Sequence, residues 1–269
     1  MNQTVRLNDG REMPLLGLGT WQLPDEAAPG LVRAAIDAGY RLIDTAALYG
    51  NERGVGEGMR GAEGVWLTTK VWNNDQGADR ARKAARDSLR RLGFEAVDLY
   101  LIHWPAPRAN RWLETWRTLI DLREEGLLRS IGVSNFTIDQ IERLERETGV
   151  IPAVNQIELH PAFQQRALAD YHRAKGVVTQ SWSPLGQGNL LRDPRVASIA
   201  DKHGRSPAQA IIAWHLAQGF SVIPKSSNPD RARDNLGALE VRLDPEDMAA
   251  FAALDDPGGR IGPDPVDFD

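Results

Sequence analysis

The chain of 269 residues contains no cysteine, which removes disulfides, thiolate metal sites and cysteine nucleophiles from consideration. Positive charge is in deficit. The net charge of −5 disfavours nucleic acid and anionic membrane as partners, because both select cationic surfaces. Long apolar runs are missing as well, and the opening MNQTVRLNDGREMP has no signal-peptide core, so a soluble, cytoplasmic protein is expected. The five histidines (103, 160, 172, 203 and 215) show neither i, i+4 pairing nor zincin spacing with a carboxylate, and no metal is expected. Nucleophile elbows of the GxSxG type and P-loops are absent. The stretch Gly54-Val55-Gly56-Glu57-Gly58 fails the dinucleotide pattern GxGxxG and reads as part of a helix start. Lysine is rare, at five of 32 basic residues, so a lysine in a special position stands out.

What is present is a regular alternation. Apolar residues make up 42% of the chain, enough for a substantial core. The length suits one α/β domain, since barrels of about 250 residues fold as single units. Short β-rich runs lie at 15–19, 41–44, 65–70, 97–102, 129–133, 153–157, 177–182 and 221–224. Helical periodicity occupies 27–38, 51–61, 78–92, 112–125, 137–148, 166–175 and 194–216, the last with a break near Gly204. Glycines at 39, 93, 126, 149 and 176 stand where left-handed helix ends favour a residue without Cβ. Strict alternation implies a parallel sheet with right-handed crossovers, and eight repeats fit a closed (β/α)8 TIM barrel better than an open doubly wound sheet. Asn8-Asp9-Gly10 within segment 1–14 reads as a hairpin closing the barrel bottom, and 258–269 as an irregular tail. No linker divides the chain, so residues 1–269 form a single domain.

Four reactive residues fall at or just beyond the C-terminal ends of these strands, where barrels of this kind keep their chemistry. Asp44 closes RLID, Tyr49 follows in TAALYGNE, Lys70 closes VWLTTK and His103 follows VDLYLI. A free phenol, with pKa about 10, is a poor proton donor near neutrality. A nearby ammonium is expected to lower that pKa, a carboxylate to hold the ammonium, and an imidazole to orient a substrate oxygen. The set is equipment for protonating an oxygen as negative charge develops on it. A Schiff-base lyase using Lys70 is the rival enzyme class, disfavoured because Asp44 would keep the amine protonated. After the eighth strand, Lys225, Ser226 and Ser227 precede Asn228-Pro229, which should start a helix. Amide and hydroxyl donors there, with Lys225 and Arg231, suit a phosphate.

RLIDTAALYGNE, LTTKVW, LIHWP, SIGVSNF, AVNQIELHP, SWSPLGQG and IPKSSNPDRARDN, in that order, resemble the successive barrel motifs of the aldo-keto reductases. The wording is nearest to prokaryotic 2,5-diketo-D-gluconate reductase-like members. The resemblance implies an NADPH-dependent reductase of aldehydes and ketones, NADH being less preferred, with no Rossmann domain and a monomeric state. Carried over by position, Tyr49 is the general acid, Lys70 and Asp44 tune it, and His103 orients the carbonyl. Ser134, Asn135 and Gln156 hold the nicotinamide carboxamide, and Trp182 stacks on its ring. Ser183, Leu185 and Gln187 follow the ribose and pyrophosphate. Lys225, Ser226 and Arg231 bind the 2′-phosphate, with Asp234 and Asn235 at the adenine; Ser227, which stands where relatives commonly have an apolar residue, is counted among the cofactor-binding residues. Gly19 and Thr20 face the cofactor, while Trp21, Leu48 and Trp104 line the substrate pocket. Short loops around the mouth favour small or polar carbonyls such as keto sugars, keto acids and dicarbonyls. A non-catalytic NADPH-binding redox sensor or accessory subunit is the alternative on the same fold.

Overall fold

The computed structural model describes residues 3–269; Met1 and Asn2, part of the expected hairpin segment, lie outside the described residues. Strands β1 (Thr4–Arg6) and β2 (Glu12–Pro14) pair antiparallel around Asn8-Asp9-Gly10. Leu7 and Met13 from this hairpin pack against Leu42, Leu99, Val154 and Ile223 inside the barrel. The Asn8 amide donates to Pro152 O at 2.9 Å, and Asp9 accepts from the Ser130 hydroxyl at 2.6 Å. The hairpin therefore plugs the floor, as expected.

Eight parallel strands follow among the described residues. They are β3 (Leu18–Gly19), β4 (Leu42–Asp44), β5 (Trp66–Val71), β6 (Val97–Ile102), β7 (Leu128–Ser134), β8 (Val154–Glu158), β9 (Val178–Trp182) and β10 (Ser221–Val222), paired in chain order. Gly17 N–H donates to Val222 O at 2.9 Å, Val222 N–H to Leu15 O at 2.7 Å, and Gly19 N–H to Pro224 O at 3.2 Å. These bonds join the last strand to the first, so the sheet is a closed barrel and not an open one. Both seam strands are shorter than the expected 15–19 and 221–224. Pro224 has no N–H to extend the ladder past Ile223.

The helices are α1 (Ala28–Ala38), α2 (Glu52–Met59), α3 (Ala78–Leu92), α4 (Trp112–Glu124), α5 (Ile138–Thr148), α6 (Arg166–Lys175), α7 (Pro194–Lys202), α8 (Pro207–Ala217), α9 (Pro229–Asn235) and α10 (Pro245–Ala252). Their apolar faces meet outward-facing strand residues such as Leu67, Val71, Tyr100 and Ile102 in a ring-shaped core. The expected helix 194–216 is two helices. The chain breaks at Gly204, and Ser206 starts α8 with a capping box to Gln209. The glycine run 54–58 lies inside α2, not only at its start. A Cβ on Gly54 or Gly56 would collide with the backbone oxygens of Asp25 and Leu92, so the glycines let this helix press onto neighbouring backbone. Helix α10 was not foreseen from periodicity, although Asp244 caps it with Asp247 in a capping box that the sequence displays.

Candidate active site

The barrel brings the four strand-end residues together. On β5 the alternating pleat turns Trp66, Thr68 and Lys70 inward, and β4 pairs beside it with Asp44 opposite Thr68. Lys70 then reaches its neighbours from one step further along. Its Nζ donates to Asp44 Oδ1 at 2.6 Å, to Thr45 O at 2.9 Å and to the Tyr49 hydroxyl at 3.4 Å. An ammonium has three N–H donors, and all three are engaged. Tyr49 sits on a 3-10 turn, Ala47–Tyr49, that Gly50 ends in the left-handed region at φ +67°. Its ring is 5.7 Å from that of His103.

Further polar residues fix this cluster. Gln156 donates from Nε2 to Asp44 Oδ2 at 2.8 Å and to Gln180 Oε1 at 2.7 Å, and Gln180 donates to the Ser221 hydroxyl at 3.0 Å. A belt of side chains thus crosses the barrel interior behind Lys70. Asn51 accepts from Thr45 Oγ1 at 2.7 Å and donates to Thr20 O and Leu23 O, both at 2.9 Å, tying the Tyr49 loop to the first strand. Sequence reasoning missed Asn51 and Gln180. Asn51 stands within the TAALYGNE motif and Gln180 on a strand otherwise suited to burial, and a buried amide there needs a partner.

The electrostatics correct one expectation. Burial pushes the Tyr49 phenol above its ordinary value, outweighing the lowering by Lys70, and Asp44 pushes the same way as burial. The phenol is not made acidic in the free protein. Burial also raises the Asp44 carboxyl, against the pull of Lys70 and Gln156. Burial alone would depress the Lys70 amine, but Asp44 and Tyr49 outweigh it and hold the ammonium above its ordinary value. Burial, assisted by the Lys70 charge, lowers His103 well below its ordinary value, so its imidazole is neutral. Among the described residues, His103 Nδ1 is buried without a hydrogen-bond partner.

Aromatic rings surround the mouth. Trp21 stacks at 4.8 Å from Tyr49 and is 46% exposed, and Leu48 is also exposed. Trp72 lies 5.1 Å from His103, and Phe268 lies 4.5 Å from Trp104. Trp72 and Phe268 were not foreseen. Phe268 belongs to a proline- and glycine-rich tail with no periodicity to mark it.

The residues expected at the cofactor occupy the adjoining side. Ser134 donates to Gln156 O at 2.7 Å, and Asn135, at φ +65°, donates to His103 O at 3.1 Å and accepts from Trp182 Nε1 at 2.8 Å. Ser183, Leu185 and Gln187 line a groove of about 460 Å³ with Trp21, Pro224 and Lys225. Gly19 and Thr20 are buried in the barrel wall, where Gly19 bonds to Pro224 O and the Thr20 hydroxyl donates to Asp44 O at 2.9 Å. The start of α9 departs from expectation. Asn228 Oδ1 already accepts from Asp230 N and Arg231 N, and the Ser226 hydroxyl donates to Asn228 O, so those donors are engaged within the turn. What remains open to a ligand are the exposed side chains of Lys225, Ser227 and Arg231. Asp234 is bonded to Ser206 and Gln209, and Asn235 is buried. Among the described residues no group of histidine, aspartate and glutamate side chains is placed to hold a metal.

Comparison with known proteins agrees across the whole barrel. A family model, "Aldo/keto reductase family", matches residues 15–256. A protein of Mycolicibacterium smegmatis called an aldo-keto reductase is 47% identical over 272 residues, covering 100% of this chain and 98% of that one. A methylglyoxal reductase, DkgA, of Escherichia coli K12 is 46% identical over 270 residues, covering 98% and 97%. A crystal structure of a Gox0644 variant in complex with NADPH superposes with a TM-score of 0.98 at 46% identity, covering 100% of this chain and 99% of that one.

Proposed function

The chain belongs to the aldo/keto reductase family, and from that premise we propose that it reduces aldehyde and ketone carbonyls with NADPH, Tyr49 acting as the proton donor. The single observation carrying the role of Tyr49 is the Lys70 ammonium, held by Asp44 at 2.6 Å and directed at the phenol oxygen at 3.4 Å.

The residues fit the cofactor. The groove beside the mouth runs from Trp21 past Ser183 and Gln187 to Lys225, and Arg231, six positions further along the chain, is also exposed. Ser134, Asn135 and Gln156 would meet the carboxamide, though the Gln156 amide nitrogen already serves Asp44 and Gln180. Trp182 would stack on the ring. Ser183, Leu185 and Gln187 would follow the pyrophosphate. Lys225, Ser227 and Arg231 would clamp the 2′-phosphate, Ser226 shaping their turn, while Asp234 and Asn235 would border the adenine.

When bound, NADPH supplies the hydride. The remaining work falls to the protein. Tyr49 stays protonated through the neutral range, because burial holds its phenol high. It gives up its proton to the substrate oxygen as charge develops there. The Lys70 ammonium then stabilises the phenolate left behind, so the interaction strengthens along the reaction instead of before it. The neutral His103 offers a ring N–H to the same oxygen and so orients the carbonyl. The occupied donors of Lys70 and its burial weigh against nucleophilic use of the amine. Small carbonyls such as dicarbonyls fit both the name of the DkgA relative and the short loops. Trp104 and Phe268 add an apolar wall that keto sugars and keto acids do not require.

The test is Tyr49→Phe. Turnover of NADPH with methylglyoxal should fall by about 10³-fold or more, while the NADPH Kd measured by fluorescence stays within about threefold. Turnover within about tenfold of the parent would remove Tyr49 from the role.

A further inference from the structure

The tail 258–269 contains no helix or strand, yet it is pinned across the mouth. Its anchor is Glu158, the last residue of β8, which is 1% exposed. Ile261 N–H donates to Glu158 Oε1 at 2.6 Å, and Gly262 N–H donates to Oε2 at 2.8 Å. His160 Nε2 lies 3.1 Å from Oε1 and must carry the proton, since a carboxylate only accepts. Burial opposes the charge, but His160 and the two backbone donors outweigh it and hold the carboxyl below its ordinary value. Gly262 is wedged between this carboxylate and the indole of Trp182. A Cβ there would come within 2.5 Å of Trp182 Cη2 and 2.9 Å of Glu158 Oε2.

The path beyond the anchor is short and local. Val266 N–H donates to Asp264 Oδ1, and Asp267 and Phe268 N–H donate to Asp264 O, each at 3.1 Å. This turn carries the Phe268 ring to 4.5 Å from Trp104 and 6.3 Å from Trp72. Arg108 N–H then donates to Asp269 Oδ1 at 2.9 Å, fastening the far end. With no ladder of its own, the segment takes its course from this local turn and from its bonds to Glu158 and Arg108, of which the Glu158 pair is the more buried.

We propose that Glu158 is a positioning residue for substrate selection, latching residues 261–269 over the mouth so that Phe268 completes the wall against which an apolar substituent of the carbonyl substrate lies. The proposal rests on the carbonyl-reductase reading of the mouth. Glu158 touches none of Asp44, Tyr49, Lys70 and His103 through a hydrogen bond, and acts through the tail. Small carbonyls without a large substituent do not reach that wall and are indifferent to the latch.

Glu158→Gln tests this, because the amide has the same shape but turns N–H donors toward donors. The readouts are NADPH oxidation with 4-nitrobenzaldehyde and with methylglyoxal, and hydrogen exchange at residues 261–269. The KM for the aromatic aldehyde should rise about tenfold with kcat little changed, while the KM for methylglyoxal moves less than about twofold. Exchange at Ile261 and Gly262 should quicken. Phe268→Ala should produce the same KM rise for the aromatic aldehyde, and the double variant no further one. Equal losses with both aldehydes, additive effects in the double variant, or unchanged exchange would overturn the latch. If Glu158→Gln does not fold, an unaltered aromatic KM in Phe268→Ala does so by itself. Absence of NADPH oxidation by the parent with either aldehyde would count against the carbonyl-reductase reading, and the exchange experiment would still decide the latch.

Discussion

Two charged regions of the mouth are built on opposite terms. Around Lys70 every charge is buried and matched: the amine has three acceptors, and Asp44 is bonded on both oxygens, to Lys70 and Gln156. Around Lys225 and Arg231 the side chains stand exposed, with no ion pair among the described residues. Buried charge is expensive, so the first region is completed by the protein itself and is rigid before substrate arrives. Exposed charge is cheap and screened, so the second is suited to binding a ligand that brings its own charge. Preorganisation favours the chemical step, and open cations favour capture.

The sharpest way to break the contrast is Lys70→Met. It strands Asp44 without its cation, so stability in urea should drop by about 3–5 kcal/mol and kcat by about 10³-fold or more. A mild loss of both would show that the belt through Gln156 suffices to hold Asp44. Arg231→Ala addresses the other region. NADPH affinity should weaken about tenfold to a hundredfold while NADH affinity stays within about twofold, and the NADPH loss should shrink as salt is added. Stability should not change. Equal weakening of both cofactors would mean that Arg231 does not read the 2′-phosphate.

A titration sharpens the buried side. Since burial raises Tyr49, its phenolate absorbance, taken as the difference between the parent and Tyr49→Phe, should develop only above the ordinary value of 10.0. Development below that value would restore the acidified phenol. A last test concerns buried charge avoided altogether. Burial lowers His172 to about 4 and His215 to about 3, against an ordinary 6.5. The unfolded chain binds protons on these rings before the folded one does, so stability is full above pH 6.5 and declines as pH falls toward the folded values. Between pH 6.5 and 5 the urea stability should fall by about 1.6 kcal/mol for each ring. His172→Gln should reduce that slope, and an unchanged slope would mean that His172 takes up its proton without unfolding.

Legibility followed the range of the interactions. Strand β5 and the position of Lys70 could be read because a buried run ending in lysine is costly without a partner. Helices α3 and α6 matched their expected spans, and terminal glycines at 93 and 176 marked their ends. The engaged turn at Asn228 was misjudged because a side chain took the amides that a ligand was expected to meet. The acidity of Tyr49 was misjudged because spacing reports the neighbouring charge but not the depth of burial. Phe268 and the Glu158 anchor were invisible: the anchor joins segments about a hundred residues apart through backbone N–H groups that any residue except proline has, and Phe268 meets the distant Trp104 only through its ring.

Alternating apolar periods, capping residues and glycine stops are local properties, so the order of elements and the strand-end address of the reactive residues follow from the amino acids alone. The seam between β3 and β10, the belt from Ser221 to Asp44 and the course of the tail depend on which distant groups meet once the barrel closes. No local preference encodes such meetings. They are decided by the need to pair every buried donor and charge in one shared geometry.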